Sequence, residues 1–413
     1  MKIIERPNYL DKLIRRRENG MIKVITGIRR CGKSFLLDPI FKNYLINSGI
    51  KENHIIKVDL ETIENEKYLD PHELNEYIKS KIVDKDTHYI LIDEIQKVEN
   101  FEAVLNGFLH KQNLDVYVTG SNSKFLSSDI ITEFRGRGDE IRVFPLSFEE
   151  FCSAMEGTSD EKWKMYITYG GMPLILDQDT DEQRSSYLNN LFNLTYKKDI
   201  VDRNNIIKSD VLDNLINILS SSIGSLTNPQ KIYNTFISSG ITDISKNTIT
   251  SYMNYLIDSF LIEKVERYDV KGKKYIQTPQ KYYFADIGLR NARLNFRQQE
   301  ENHIMENIIY NELITRGYNV DVGVVEIRDK QEKKQLEVDF VCNLGYRRYY
   351  IQSALNLETR EKTLQEERPL MNIEDNFKKV IVVKDNIQHW YTEEGILVIG
   401  IQEFLLDKNS LDL

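Results

Sequence analysis

Gly27-Ile28-Arg29-Arg30-Cys31-Gly32-Lys33-Ser34 decides how this chain is read. The stretch fits GxxxxGK[ST], and it lies where that pattern must lie, between a β-rich run (Ile22–Thr26) and a helical run over residues 34–45. Its two glycines let the backbone curl so that several N–H groups point at phosphate oxygens. The helix start beyond it adds donors and a favourable dipole. Lys33 is expected to neutralise the β- and γ-phosphates of ATP, and Ser34 to ligate Mg²⁺. The expected nucleotide cradle is Gly27, Ile28, Arg29, Arg30, Cys31, Gly32, Lys33, Ser34 and Phe35.

Downstream, Tyr89-Ile90-Leu91-Ile92-Asp93-Glu94 is an apolar strand ending in two acids. Such a pair is expensive unless it holds a cation or reaches solvent. Asp93 is the expected second Mg²⁺ residue, acting through water, and Glu94 the general base that polarises the attacking water. A further strand over residues 54–60 separates the two motifs in sequence. That spacing points to the hydrolase branch of P-loop proteins with an added strand between the motif strands. The fourth strand ends in Thr119-Gly120-Ser121-Asn122. Asn122 is the first choice for holding the lytic water or sensing the γ-phosphate, and Ser121 the alternative. In Phe134-Arg135-Gly136-Arg137-Gly138, Arg137 and then Arg135 are candidates for an arginine aimed at a γ-phosphate, in cis or from a neighbouring subunit. The expected catalytic set is thus Lys33, Glu94, Asn122 and Arg137.

Working outward, the first 150 residues alternate strand-like runs (21–26, 54–60, 88–93, 115–120, 140–144) with helical segments (71–83, 100–110). Near-continuous apolar strands joined by crossover helices read as a parallel sheet covered on both faces. From residue 148 the pattern turns helical, over 148–156, 161–170 and 182–199. A second helical unit covers 206–222, 229–240 and 246–260, and Ile249, Tyr252, Met253, Leu256, Ile257 and Phe260 keep helical spacing in its last member. Strand-like runs at 261–270 and 275–278 flank Lys271-Gly272-Lys273-Lys274. Three helices and a basic hairpin follow the order of a winged helix. A helix over 303–316 and strands at 336–342, 349–354, 378–383 and 396–399 read as a separate α/β domain.

The composition, 41% hydrophobic and 29% charged over 413 residues, excludes a disordered chain and allows several cores. Three isolated cysteines imply neither disulfides nor a zinc site, and fit a reducing cytoplasm. No apolar run reaches the ~18 residues of a membrane helix. The net charge of −9 argues against nucleic acid, but it is uneven. Residues 264–297 carry +6, those before them −7 and those after them −8.

The chain resembles a prokaryotic family of predicted AAA+-superfamily ATPases with a C-terminal domain of unknown function. The resemblance rests on residues 27–34, Leu91-Ile92-Asp93-Glu94-Ile95-Gln96, Thr119-Gly120-Ser121-Asn122, Gly136-Arg137 and Phe144-Pro145-Leu146-Ser147-Phe148-Glu149-Glu150-Phe151. It extends through Tyr169-Gly170-Gly171-Met172-Pro173, Lys198-Asp199-Ile200-Val201 and Lys281-Tyr282-Tyr283-Phe284-Ala285-Asp286-Ile287-Gly288-Leu289, covering essentially the whole chain. It implies ATP hydrolysis, a winged helix after the ATPase core, and a C-terminal domain similar to restriction-endonuclease folds. The fold class is then α/β and multidomain. An AAA+-type P-loop NTPase core occupies 1–147, a helical lid 148–204, a winged helix 205–294 and an endonuclease-like α/β domain 295–413.

On the expected recognition helix, Lys246, Asn247 and Thr250 suit a DNA groove, and Lys271, Lys273 and Lys274 on the wing suit phosphates. Restriction-type nucleases need acids on a strand, then Glu-x-Lys on the next. Glu306 on the preceding helix, with Glu337 and Asp339 two apart on one strand face, follows that pattern. Gln352 and Ala354 stand where the second carboxylate and the lysine belong, so this site reads as degenerate. The expectation is a cytoplasmic, Mg²⁺-dependent ATPase acting on duplex or branched DNA as a motor or remodeller, and homo-oligomeric because such sites borrow arginines. The alternatives are an ATP-gated switch that docks protein partners and an ATP-dependent nuclease.

Overall fold

Five strands build the first sheet of the computed structural model, which describes residues 3–121, 136–297, 300–329 and 332–413. They are β1 (Ile22–Thr26), β2 (Ile55–Asp59), β3 (His88–Asp93), β4 (Leu114–Thr119) and β5 (Gly138–Arg142). All pairings are parallel, in the order β2-β3-β4-β1-β5. Every residue of β1 and β3 is buried, as central strands covered on both faces must be. β5 closes an edge and carries only one buried residue. Ile22, Val24, Ile90, Ile92, Val116 and Val118 form one core with Leu74, Ile78, Leu105 and Phe108 of the helices Pro71–Lys81 and Phe101–Leu109. Each such side chain contributes about 1.5–3 kcal/mol.

One expected element is broken. The helical run expected over residues 34–45 is interrupted at Asp38, whose φ of −143° and ψ of 117° are extended. Pro39 follows, and a residue before proline is pushed out of the helical region. Helix resumes at Lys42–Asn47.

This sheet belongs to one unit, Met1–Pro145 with Asp258–Phe260, and the rest of the chain, Leu146–Ile257 with Leu261–Leu413, forms a second. The sequence divides that second part into lid, winged helix and endonuclease-like domain, whereas the structure joins the latter two through a single sheet. Its strands are β6 (Ile262–Asp269), β7 (Lys274–Phe284), β8 (Asn319–Asp329), β9 (Glu332–Leu344), β10 (Arg347–Ala354), β11 (Lys378–Val383), β12 (Trp390–Tyr391) and β13 (Leu397–Gly400). They are ordered β12-β13-β11-β10-β9-β8-β6-β7. The hairpin β6–β7, expected as a free wing, is therefore bonded to β8, with Arg267, Tyr268 and Asp269 opposite Val322, Gly323 and Val324. Sequence periodicity does not announce β8, because Gly323 interrupts it beside a register shift. The glycine is needed there: a Cβ would lie 2.8 Å from Val338 Cβ.

Two distant motifs of the second unit lock together. Helix Ser159–Tyr169 ends at Gly170, whose φ of +72° and ψ of −163° suit only glycine. The next residue, Gly171, donates its N–H to Asp286 Oδ2 (2.7 Å), and Leu289 N–H is bonded to Asp286 Oδ1 (3.0 Å). Asp286 caps helix Ile287–Arg293 in the same act. Burial raises its pKa to about 6, and the backbone N–H donors oppose the rise.

At Gly288 an added Cβ would lie 2.0 Å from the Tyr169 carbonyl oxygen. Gly288→Ala should therefore destabilise the second unit by on the order of 1–3 kcal/mol. A thermal melt that does not move would refute this packing.

Candidate functional site

Parallel pairing brings the carboxyl ends of β1, β4 and β3 side by side, with β4 between the two motif strands. Open α/β sheets place ligands beyond those ends. The loop leaving β1 is held by backbone geometry that its sequence accommodates. Gly27 has φ +141°, and a Cβ there would lie 2.1 Å from Val143 O. Arg30 has φ +67° and Gly32 φ +101°. Ile28 and Cys31 are buried beneath the loop, while Arg30 and Ser34 are exposed and Arg29 and Phe35 half-buried. Lys33 is buried and curls back, its Nζ donating to Gly27 O (3.0 Å) and Ile28 O (3.2 Å).

Both acids at the end of β3 are buried, Asp93 at 6% and Glu94 at 7% exposure. One hydroxyl ties them. Thr119 Oγ1 accepts the Glu94 N–H (2.9 Å) and donates to Asp93 Oδ1. Burial pushes the Asp93 carboxyl above the usual range; hydrogen bonds from Thr119 and Ser34 oppose this, and the charges of Glu94 and Asp59 add to it. A buried carboxylate among other acids, touching a serine hydroxyl, is a hard-oxygen donor set of the kind Mg²⁺ takes. Ser34 and Asp93 thus fit the ion.

Glu94 adopts left-handed backbone (φ +55°) where β3 ends. Its Oε2 accepts from Ser121 Oγ (2.9 Å) and from Gln96 Nε2. Ser121, the alternative to Asn122, is therefore bonded to the expected base. Asn122 and Arg135 lie outside the described residues. Arg137 is exposed, but at the wrong end of the sheet for its own site. Its carbonyl accepts the N–H of Ile22, the first residue of β1, whereas the P-loop follows the last, Thr26. Four strand steps, roughly 13 Å, intervene. The cis reading of Arg137 is thereby corrected, and the reading in which it serves a neighbouring subunit remains.

Part of the basic stretch lies inside the second unit. Arg267, Lys281 and Arg290 are buried. Arg290 Nε donates to Ser220 O (2.8 Å), and its Nη2 meets Glu300 (3.3 Å). Arg293 pairs with Asp213 (3.0 Å) and Asn217 (2.8 Å). Three of the nine cations are thus interior, but Asp269 and Asp286 are buried with them, so most of the net charge of the stretch stays outside the core; periodicity shows which residues are basic but not where they point. Lys246, Asn247, Lys273 and Lys274 are exposed, Lys271 is exposed and meets Glu374 (3.3 Å), and Thr250 bonds back to Lys246 O (3.0 Å).

Lys281 is the residue that sequence reasoning misplaced. Read only as one of the cations of residues 264–297, it lies 2.7 Å from both Glu306 and Glu337 and 3.6 Å from Asp339. Burial opposes its charge, but the three carboxylates outweigh burial and raise its pKa. Asp339 is pushed up by burial and by Glu306. Tyr283, two residues on along β7, also donates to Glu306. Gln352 Oε1 accepts the Asp339 N–H (3.4 Å), and Ser353 N–H is bonded to Asp339 Oδ2 (2.8 Å). Ala354 packs into an apolar core with Val338 and Tyr350. The nuclease-like acids are thus gathered around an ammonium from the hairpin.

A family described as an AAA domain matches residues 19–152, and a domain of unknown function (DUF8612) matches residues 160–300. A Haemophilus influenzae protein is 34% identical over 411 residues, covering 98% of this chain and 99% of its own. A Methanocaldococcus jannaschii protein is 28% identical over 405 residues, covering 92% of this chain and 85% of its own. Both relatives carry the name uncharacterized protein. Among solved structures, Cdc6p from Pyrobaculum aerophilum matches 75% of this chain and 96% of its own, at 12% identity and a TM-score of 0.30.

Removing the ammonium should be costly. Lys281→Met leaves three carboxylates facing one another and should lower unfolding stability by about 3–5 kcal/mol. Because the folded pKa of Asp339 is raised, the folded chain binds its proton first as pH falls. Lys281 holds that pKa down, so in the variant the carboxyl takes up its proton at a still higher pH, and the loss should shrink as pH falls through that interval. Denaturant unfolding at two pH values measures both, and an unchanged midpoint would contradict the arrangement.

Proposed function

We propose, for a chain that belongs to this AAA-domain family and through it to the AAA+ superfamily of ATPases, that it hydrolyses ATP with Mg²⁺ at the carboxyl ends of β1, β4 and β3. The observation that carries the reading is the convergence there of Lys33, Ser34, Asp93 and Glu94, with one threonine hydroxyl tying the two acids. The P-loop backbone and Lys33 bind the phosphates. Ser34 and Asp93 hold Mg²⁺, which supplies charge neutralisation on the phosphate oxygens. Glu94 takes the proton of the attacking water, and Arg137 serves the site of a neighbouring subunit in a homo-oligomer.

DNA, duplex or branched, is the proposed partner of the second unit. Exposed Lys246, Asn247, Lys271, Lys273 and Lys274 support this, while buried Arg267, Lys281 and Arg290 take no part in that surface. A second reading has its own support. A groove of about 610 Å³ lined by Ile206, Ile207, Ser245, Thr248, Tyr252 and Tyr255 opens at the head of helix Lys246–Asp258. Ile207 is 95% exposed there. An exposed isoleucine beside tyrosines suits a docked protein better than phosphate. Nuclease chemistry is outside the proposal, since Gln352 brings no charge and Lys281 is already shared among three acids.

Lys33→Ala should abolish ATP turnover. Glu94→Gln should keep ATP binding and lose ~10²–10⁴-fold in kcat. Retained turnover in either would sink the site. Turnover measured against duplex and four-way-junction DNA separates the partners. Stimulation that fades with salt favours DNA, and an indifferent rate favours the docking reading.

A further inference from the structure

The geometry points to Gln96 as a second positioning residue for hydrolysis, one that holds the attacking water alongside Glu94; this rests on the reading of Glu94 as the base. A water attacking phosphorus in line must direct a lone pair at the phosphate, which requires that both of its O–H bonds be held elsewhere. A single carboxylate oxygen fixes one of them. The structure supplies a second acceptor next to that carboxylate.

Gln96 reaches it through a tight turn. After the left-handed Glu94, residues Ile95–Lys97 form one 3₁₀ turn. The turn is closed by Lys97 N–H to Glu94 O (3.1 Å) and Val98 N–H to Ile95 O (3.0 Å). This folds the Gln96 side chain back onto Glu94, where Nε2 donates to Glu94 Oε2 and lies 3.4 Å from Ser121 Oγ. The amide has only one sensible orientation. An ionised carboxylate only accepts, so the NH₂ end must face it. Oε1 is then directed elsewhere, and it is a buried acceptor with no partner among the described residues. Buried acceptors are nearly always satisfied, so one left open beside a general base marks a place for a donor. The donor that hydrolysis brings there is water.

In the step itself, the water oxygen forms a bond to the γ-phosphorus as the bond from that phosphorus to the β,γ-bridging oxygen breaks. ADP leaves with that electron pair. Glu94 takes one proton of the water, and Gln96 Oε1 accepts a hydrogen bond from the other O–H and gains no proton. Glu94 later returns its proton to solvent, leaving ADP and inorganic phosphate. Gln96 changes no bond, so its effect falls on the rate and not on nucleotide affinity.

Gln96→Met preserves length and removes both the donor and the acceptor. In the full-length protein it should lower kcat ~10–100-fold while KM for ATP, the Kd of a fluorescent ATP analogue and the melting temperature stay within error. Gln96→His, which offers one N–H and one acceptor, should recover part of the loss. If Gln96→Met turns over within twofold of the parent while Glu94→Gln is dead, the inference about Gln96 falls and the site reading stands. If Glu94→Gln turns over normally, the site reading falls and takes Gln96 with it. A parallel loss of kcat, affinity and melting temperature would make Gln96 a structural residue and would also overturn the inference.

Discussion

The carboxyl end of the first sheet depends on the hydroxyl of Thr119. A strand as apolar as β3 is buried throughout, yet it ends in two carboxylates. Left alone, those acids would repel each other at low dielectric and lose their geometry. Thr119 reaches across from β4, donating to one acid and accepting the backbone N–H of the other. That is possible only because β4 lies between β1 and β3, so the strand order, the buried acids and the P-loop form one constraint. Ser121, two residues further along the same chain, extends the pattern to the Glu94 carboxylate.

The second unit is organised by single buried charged groups of either sign. One buried lysine gathers three acids, one from a helix and two from β9. One buried aspartate collects backbone N–H groups from two motifs far apart in sequence. Single charged groups, each fully engaged, thus set the register between elements that hydrophobic burial alone would leave free to slide. This accounts for the glycines of Tyr169-Gly170-Gly171 and Asp286-Ile287-Gly288, where the backbones approach too closely for a side chain.

Much of this was legible in the sequence. Residues 27–34, the apolar run into Asp93-Glu94 and the strand ending at Thr119 pointed to a parallel sheet, because parallel strands buried on both faces leave unbroken apolar runs; the spatial order of its strands was not legible there. Three further things were not legible. The break at Asp38 lies inside a helical pattern, where one proline was outweighed by its neighbours. β8 hid behind Gly323, which reads as a turn residue and serves as a packing contact. The interior destination of Lys281, Arg290 and Arg293 could not be read from charge counts, since a paired lysine and a solvated one are the same letter. Gln96 stood in view within Leu91-Ile92-Asp93-Glu94-Ile95-Gln96, yet only the turn after Glu94 shows that it doubles back.

The bonding of β6 to β8 has a consequence for how this chain can be divided or deformed. A wing that ends in solvent can flex without cost to its neighbours. A hairpin bonded onto one end of an eight-stranded sheet behaves as a lever arm of that sheet. Severing the chain near residue 295 would not release two modules. It would create two raw strand edges, β6 and β8, each an open template for pairing with another chain. The hairpin and the C-terminal domain are in this sense one mechanical body, and a load applied at Lys273 would be felt along β9, the strand that carries Glu337 and Asp339.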